Sequence, residues 1–444
     1  MTSTATLTSD RPAEVDLLAH YQPGSSSFFA SPGGTALLGE GVAAVLPAWA
    51  TDDSRADRVA GLLDDARRSG HPDPVAIGAL PFDEDLPARI VVPARTRRGR
   101  TADLIAPPAP VLAGDVRTDA ASGGPADPRA PRLGTHLRPV DDDGQATAAF
   151  SLEPVTAHDV FVRSVERAIE ELQRGDLRKV VLSRALQLTA AAEVDPAVLL
   201  ARLLAGEPSA YAFAIDLSRA MGRARDGYPA RATRTLVGAS PELLLRRRGA
   251  RVLTNPLAGS LPRHPDPTED ARRAAALQAS AKDLGEHAVV VEAIGDALAP
   301  LCAELTLPAR PTLVRTSTMW HLGTEISGSL RDPDLTSLHV ALALHPTPAI
   351  CGTPSDAARA AIGRLEPYDR DFYTGLVGWT DAAGDGDWAV TIRCAQVEGR
   401  DVRVYAGAGI MADSDPQAEL AETAAKAGTL LRAMGIDAEP EFAR

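Results

Sequence analysis

Apolar positions along this chain recur with two periods, and each period predicts its own elements. In AHDVFVRSVERAIEELQRGD, residues 157–176, the spacing is helical, which turns Val160, Val162, Val165, Ile169 and Leu172 inward and makes Gly175 the stop. SRADRVAGLLDDARRSG predicts another helix, opening on Ser54 and closing on Gly70. EDARRAAALQASAKDLGEHAVVVEAIGDALAPL and DPQAELAETAAKAGTLLRAMG predict two long helices. Alternating or continuous apolar runs predict strands: TALLGEGVAAV, PVAIGAL and ARIVVPA before residue 100, then RKVVLSRA, AYAFAIDL, RTLVGAS, ELLLRRRG, RVLTN, DWAVTIRCAQVEG and VRVYAGAGI after 150. Strands grouped with helices, without strict alternation, predict an α+β fold with a mainly antiparallel sheet.

Between these runs lie stretches of different character. Residues 1–15 are rich in Thr, Ser and Ala and are expected to fray. Residues 100–150 are dense in Pro, Gly, Asp and Ala, too poor in apolar surface to order themselves, and predict a surface loop between an N-terminal portion (16–99) and a core (151–440). A surface hairpin is expected at 219–234. No repeat of solenoid period is present.

Composition narrows the classes of function. The 444 residues are 45% hydrophobic and 24% charged, an ordinary globular balance. A net charge of -13 argues against a general nucleic-acid or anionic-membrane binder, because either surface repels the protein's average field. The opening MTSTATLTSDRPAEVD has neither a basic leader nor a long apolar run, and no window approaches the roughly 20 apolar residues of a membrane span. Cys302, Cys351 and Cys394 form no C-x-x-C pair and fit a reducing cytosol, so a cytoplasmic location is expected.

Several short stretches carry candidate chemistry, each with a plainer alternative. Lys179, in RKVVLSRA, shares a strand face with Val181, Ser183 and Ala185. Burial of such a lysine disfavours the charged amine and creates a base, whereas a strand-end lysine simply extends its head to water. Glu419, Glu422 and Lys426 lie at i, i+3 and i+7 on one helical face, and Asp283 and Glu286 repeat the i, i+3 spacing. Converging carboxylates call for a cation between them, and all-oxygen ligation suits Mg²⁺; apart, they are solvated helix faces. Glu242 in GASPELLL is a buried general acid or a surface turn residue. Gly259 and Ser260 in TNPLAGSLPR form a turn, or let backbone N–H groups approach an anion. YAGAGI, 405–410, places glycines after a strand for close backbone approach or for packing, and its spacing is not a dinucleotide fingerprint.

In this order, KVVLSRA, GASPELLL, NPLAGS, KDLGEHAVVV, STMWHLGT, LHPTPAICGTP, FYTGLVGW, TIRCAQ, YAGAGI and AELAETAAK resemble the chorismate-utilising enzyme family. That family includes isochorismate synthases, salicylate synthases and the first components of anthranilate and aminodeoxychorismate synthases. The resemblance runs from about 155 to 435, and SSSFFASPGGTALLGEG looks like the family's N-terminal portion. It implies one chorismate-binding domain over 16–440, a large antiparallel β-sandwich flanked by helices, a Mg²⁺ cofactor and chorismate as substrate. By motif position, Lys179 looks like the base that activates water against C2, and Glu242 like the acid that protonates the departing C4 hydroxyl. Glu286 and Glu422 resemble direct Mg²⁺ ligands, with Asp283 and Glu419 acting through water. Tyr373, Arg393, Lys426 and the backbone at Gly407 resemble the carboxylate-binding groups, Gly259 and Ser260 the ring wall, and His321 a neighbour of the reacting face.

Within the family, Lys179 favours water as nucleophile, and Ala258 stands where aminodeoxychorismate synthases carry a nucleophilic lysine. Ala349 stands where salicylate synthases tend to have threonine. The implied reaction is therefore chorismate to isochorismate by a monomeric enzyme, in the manner of catechol siderophore pathways. Salicylate formation with pyruvate loss is the alternative, and a silent chorismate-binding protein a remoter one. Gly285 and Leu261 depart from the family pattern, where a bulkier residue and an arginine are usual.

Overall fold

The computed structural model describes residues 16–48, 55–104, 150–218 and 233–436. The expected frayed terminus at 1–15, the cap at Ser54, and nearly all of the 100–150 loop and the 219–234 hairpin lie outside the described residues.

Strands are two-faced here, and both faces find cover. Phe28, Leu38, Ala212 and Ala214 go to one side of a ten-stranded sheet, and their neighbours Phe29, Leu37, Phe213 and Ile215 go to the other. The second group meets Ile77, Ala79, Val377 and Trp379 of a nine-stranded sheet, forming the middle of a sandwich. Helices Pro196–Gly206 and Pro416–Ala433 cover the outside of the first sheet, and Arg55–Arg68, Ala281–Leu298 and Ser337–Leu344 the outside of the second. Every strand pairing among the described residues is antiparallel. The fold is α+β with a large antiparallel sandwich flanked by helices. Strands from before residue 100 are built into both sheets: Ser26–Ala30 pairs with Tyr211–Asp216, and Val75–Leu80 with Leu376–Asp381.

Five expectations need correction. Helix His158–Arg174 ends on left-handed Gly175, but its fully buried stripe is Phe161, Val165, Ala168 and Leu172; Val160, Val162 and Ile169 are only partly covered. Phe161 and Ala168 pack with Val180, Leu182, Ala408 and Ile410. The long helix expected through 269–301 is two, Pro267–Ala279 and Ala281–Leu298, because extended Ser280 breaks the run and its side chain caps the second helix at Asp283 N–H. DWAVTIRCAQVEG is two strands, Gly386–Val390 and Cys394–Glu398, in different sheets. TNPLAGSLPR is no turn: Leu257–Pro262 is a bulged strand in a small three-stranded sheet with Met319–Gly323 and Thr312–Arg315. The YAGAGI glycines lie inside strand Asp401–Ile410, not after it.

Phe213 sits fully buried mid-sandwich, in space kept open by Gly238, where a Cβ would come within 2.6 Å of the ring. Phe213→Ala should therefore cost about 3–5 kcal/mol of stability, measured by urea unfolding, since the sheets cannot close over the missing ring.

Candidate active site

Two chain segments step from one sheet to the other, and the site forms where they do. Strand Arg234–Ser240 belongs to the ten-stranded sheet and Leu243–Arg248 to the nine-stranded one, with Pro241 and Glu242 between. Gly386–Val390 and Cys394–Glu398 make the opposite step through Thr391–Arg393. The steps are stitched side by side: Val390 N–H donates to the Glu242 carbonyl at 3.2 Å, and Ala239 N–H to that of Arg393 at 3.1 Å. Arg393 adopts φ 49°, a left-handed conformation costly for a side-chain-bearing residue. At these steps the ladders are interrupted, so Glu242 and Arg393 can face one cavity.

That cavity brings together most of the residues the sequence singles out. Its wall includes Glu242, Gly259, Ser260, Glu286, His321, Ala349, Tyr373, Arg393, Gly407, Glu422 and Lys426. Lys179, Asp283 and Glu419 are not on the wall. Ser260 and His321 arrive as a cross-strand pair of the small sheet, and Gly259 at φ 78° runs so close to the Ala281–Leu298 helix that a Cβ would lie 3.0 Å from Asp283 Cβ.

Charge around the cavity is arranged in pairs. Lys179 is 1% exposed, and its ammonium lies 2.8 Å from Glu286 Oε1. Lys426 reaches Glu422 Oε1 at 2.5 Å and donates to the Gly407 carbonyl at 3.0 Å, while Ser260 Oγ donates to the same Glu422 oxygen at 2.8 Å. Lys282 bonds Glu419 at 3.2 Å. Glycine makes the first pair possible, because on Gly409 a Cβ would fall 2.4 Å from Glu286 Oε1 and 3.1 Å from Lys179 Cε.

Burial and neighbours set the protonation states. Burial pushes the Glu242 carboxyl up to about 7, against a hydrogen bond from Leu257 N–H and the charges of Lys179, Arg393 and Lys426. Burial also pushes Glu286 up, but the charge and hydrogen bond of Lys179, helped by Lys426 and Lys282, prevail and hold it below the ordinary value. Asp283 is raised by burial and by the charges of Glu286 and Glu422. Glu419 is raised to about 7 by burial and by Glu422. Burial and then the Arg393 charge drive His321 far down, so the imidazole is neutral and its Nε2 accepts from Arg393 at 3.5 Å.

The acidic residues repel one another across two helices: Asp283 is raised by Glu286 of its own helix and by Glu422 of the other, and Glu419 by Glu422. Among the described residues no group of three or more His, Cys, Asp or Glu side chains is drawn together to hold a metal; Lys179, Lys282 and Lys426 supply the counter-charge. The donor chemistry fits a hard divalent cation, with ammonium groups as the present partners.

Some wall residues have no counterpart among the sequence candidates. Gly409 lies within YAGAGI, and the motif could have singled it out by its pairing with Val181 on the lysine strand. Val181, Ile350 and Thr374 lie inside quoted motifs but carry no acid, base or cationic group, so no chemistry marked them as candidates.

The chain matches the family model described as chorismate binding enzyme over residues 134–435. It is 44% identical over 424 residues to isochorismate synthase DhbC of Bacillus subtilis (strain 168), covering 95% of this chain and 96% of that one. Isochorismate synthase EntC of Escherichia coli (strain K12) is 35% identical, over 85% of this chain and 86% of that protein. Among solved structures, the putative 2,3-dihydroxybenzoate-specific isochorismate synthase DhbC of Bacillus anthracis superposes with a TM-score of 0.80 at 41% identity, covering 95% of this chain and 99% of that one.

Gly409→Ala should displace Glu286 from Lys179 and lower any turnover at least about tenfold with an unchanged circular dichroism spectrum, the cost of sub-ångström misplacement in a reacting site. For Glu242 the sign is set by its raised value. Its proton stabilises the fold fully below pH 4.5, and that contribution is lost as pH rises through about 7. Glu242→Gln should thus match the wild type in urea unfolding at pH 4 and exceed it at pH 8 by on the order of 2–3 kcal/mol, in chelator-containing buffer. A difference that does not vary with pH would show that Glu242 is not a buried titrating acid.

Proposed function

The chain belongs to the chorismate-binding enzyme family, and from that premise we propose that it converts chorismate to isochorismate, feeding 2,3-dihydroxybenzoate siderophore synthesis. The observation that carries the reading is Glu242, a fully enclosed carboxyl held up to about 7 on the wall of the same cavity as Arg393 and Lys426. An acid that keeps its proton near neutral pH is what the loss of a hydroxyl requires.

The residues divide the work as follows. Lys426 and Arg393, with Tyr373 and the Gly407 backbone, bind the substrate carboxylates, and Gly259, Ser260 and Ala349 bound the ring beside His321. Lys179, once its ammonium has given up its proton to solvent and turned from Glu286 toward the cavity, removes a proton from the water that bonds to C2. The double bonds shift, the C4–O bond breaks, and Glu242 gives its proton to the leaving hydroxyl. One proton is taken and one given, so the product is an isomer of the substrate. Glu286 and Glu422 would hold Mg²⁺, with Asp283 and Glu419 behind them. When bound, the ion supplies positive charge for the ring carboxylate of a dianion entering an acidic protein. A cytoplasmic, monomeric enzyme completes the reading; Cys302, Cys351 and Cys394 are free thiols, as a reducing compartment keeps them. No helix among the described residues is long and apolar enough to cross a membrane.

Incubation of the purified chain with chorismate and Mg²⁺ should yield isochorismate, resolved by liquid chromatography, without salicylate or pyruvate; those two products in equal amounts would transfer the chain to the salicylate branch. Chelation should stop the reaction and added Mg²⁺ restore it. Lys179→Ala should lower kcat by about 10²–10⁴-fold, the usual worth of a general base, and a wild-type rate would remove Lys179 from that role.

A further inference from the structure

Behind the cavity wall lies a buried ion pair that the reaction as described does not use. Glu366 and Arg370 follow helix Ser355–Leu365, and their side chains are each 2% exposed and 2.6 Å apart. Arg370 places every guanidinium nitrogen. Nε and Nη2 clasp the two oxygens of Glu366 at 2.9 and 2.6 Å. Nη2 also donates to the Val181 carbonyl at 2.6 Å, and Nη1 to the Ile350 carbonyl at 2.8 Å and Thr374 Oγ1 at 3.2 Å. Glu366 in turn accepts from Ser183 N–H at 2.7 Å and Ser183 Oγ at 2.9 Å.

The acceptors are what make this pair more than packing. Val181, Ile350 and Thr374 all line the cavity, and they come from three separate segments. Val181 and Ser183 lie in the strand that begins at Lys179; Ile350 follows Ala349; Thr374 follows Tyr373 and is itself held at φ 58°. One planar, five-donor group thus ties together the strand of the base, the loop of Ala349 and the turn of Tyr373. A lysine could neutralise Glu366 but could not fork to three acceptors in fixed directions.

We propose that Arg370, oriented by Glu366, is a positioning residue for the substrate cavity, setting the spacing of three walls without touching substrate. The inference rests on the chorismate reading above. A buried ion pair can often be exchanged for apolar side chains of similar volume with little loss, whereas the directional contacts to Val181, Ile350 and Thr374 cannot be replaced that way.

The test compares the full-length wild type, Arg370→Lys and the double variant Glu366→Leu with Arg370→Met, each with chorismate and Mg²⁺. Both variants should remain folded by circular dichroism, and the double variant should melt at or above the temperature of Arg370→Lys. Both should nonetheless raise KM at least threefold and lower kcat/KM at least tenfold. A smaller folded fraction lowers the apparent rate but leaves KM where it was, so the KM shift separates positioning from scaffolding. A folded variant of either kind with KM and kcat/KM within twofold of the wild type overturns the proposal. Failure of both variants to fold also overturns it, making the pair a folding requirement. If the wild type forms no isochorismate, the reading of the reaction falls instead, and the positioning role is judged on chorismate affinity by calorimetry with the same threefold criterion.

Discussion

The site depends on keeping charge balanced among side chains that are largely buried. Lys179 and Glu286 are the centre of that balance, an ammonium and a carboxylate in contact with almost no exposure. Either alone, buried, would cost several kcal/mol, which is why removing one partner of such a pair is far more damaging than exchanging both. The pair in turn dictates backbone chemistry above it: only a glycine at 409 leaves the carboxylate room. Lys282 with Glu419 and Lys426 with Glu422 extend the same logic outward along two helices. Glu242, like Asp283, has no ammonium in contact, and burial lifts its carboxyl to about 7.

How much of this was legible in the sequence depends on whether the signal was local. Strand and helix periods were, because a strand such as Lys179–Ala190 or a helix such as Pro416–Ala433 declares its own faces. The break at Ser280 was not, since serine inside an alanine-rich run carries little penalty and reveals itself only by capping the next turn. The division of DWAVTIRCAQVEG was not either: both halves are buried on both sides, so nothing in the apolar pattern marks the change of sheet at Thr391–Arg393.

For the site, the motifs brought the wall residues together, whereas their partners could not be read from spacing. That Lys179 stands behind the wall against Glu286, instead of on it, follows from a helix crossing a strand more than a hundred positions away in the chain. Glu366 and Arg370 were hidden for another reason. Their i, i+4 spacing is that of any surface helix pair, and only the tertiary structure shows it lying beyond the helix end with both side chains enclosed.

The paired steps at Pro241–Glu242 and Thr391–Arg393 have a consequence for local stability. Both are anchored by strands of both sheets on either side, so neither acid nor arginine can loosen without separating the layers of the sandwich. Active centres are often carried on loops that open at small cost, but here the acid and the arginine sit at a seam of the cooperative core. Opening of this site then requires the two sheets to part, as unfolding does.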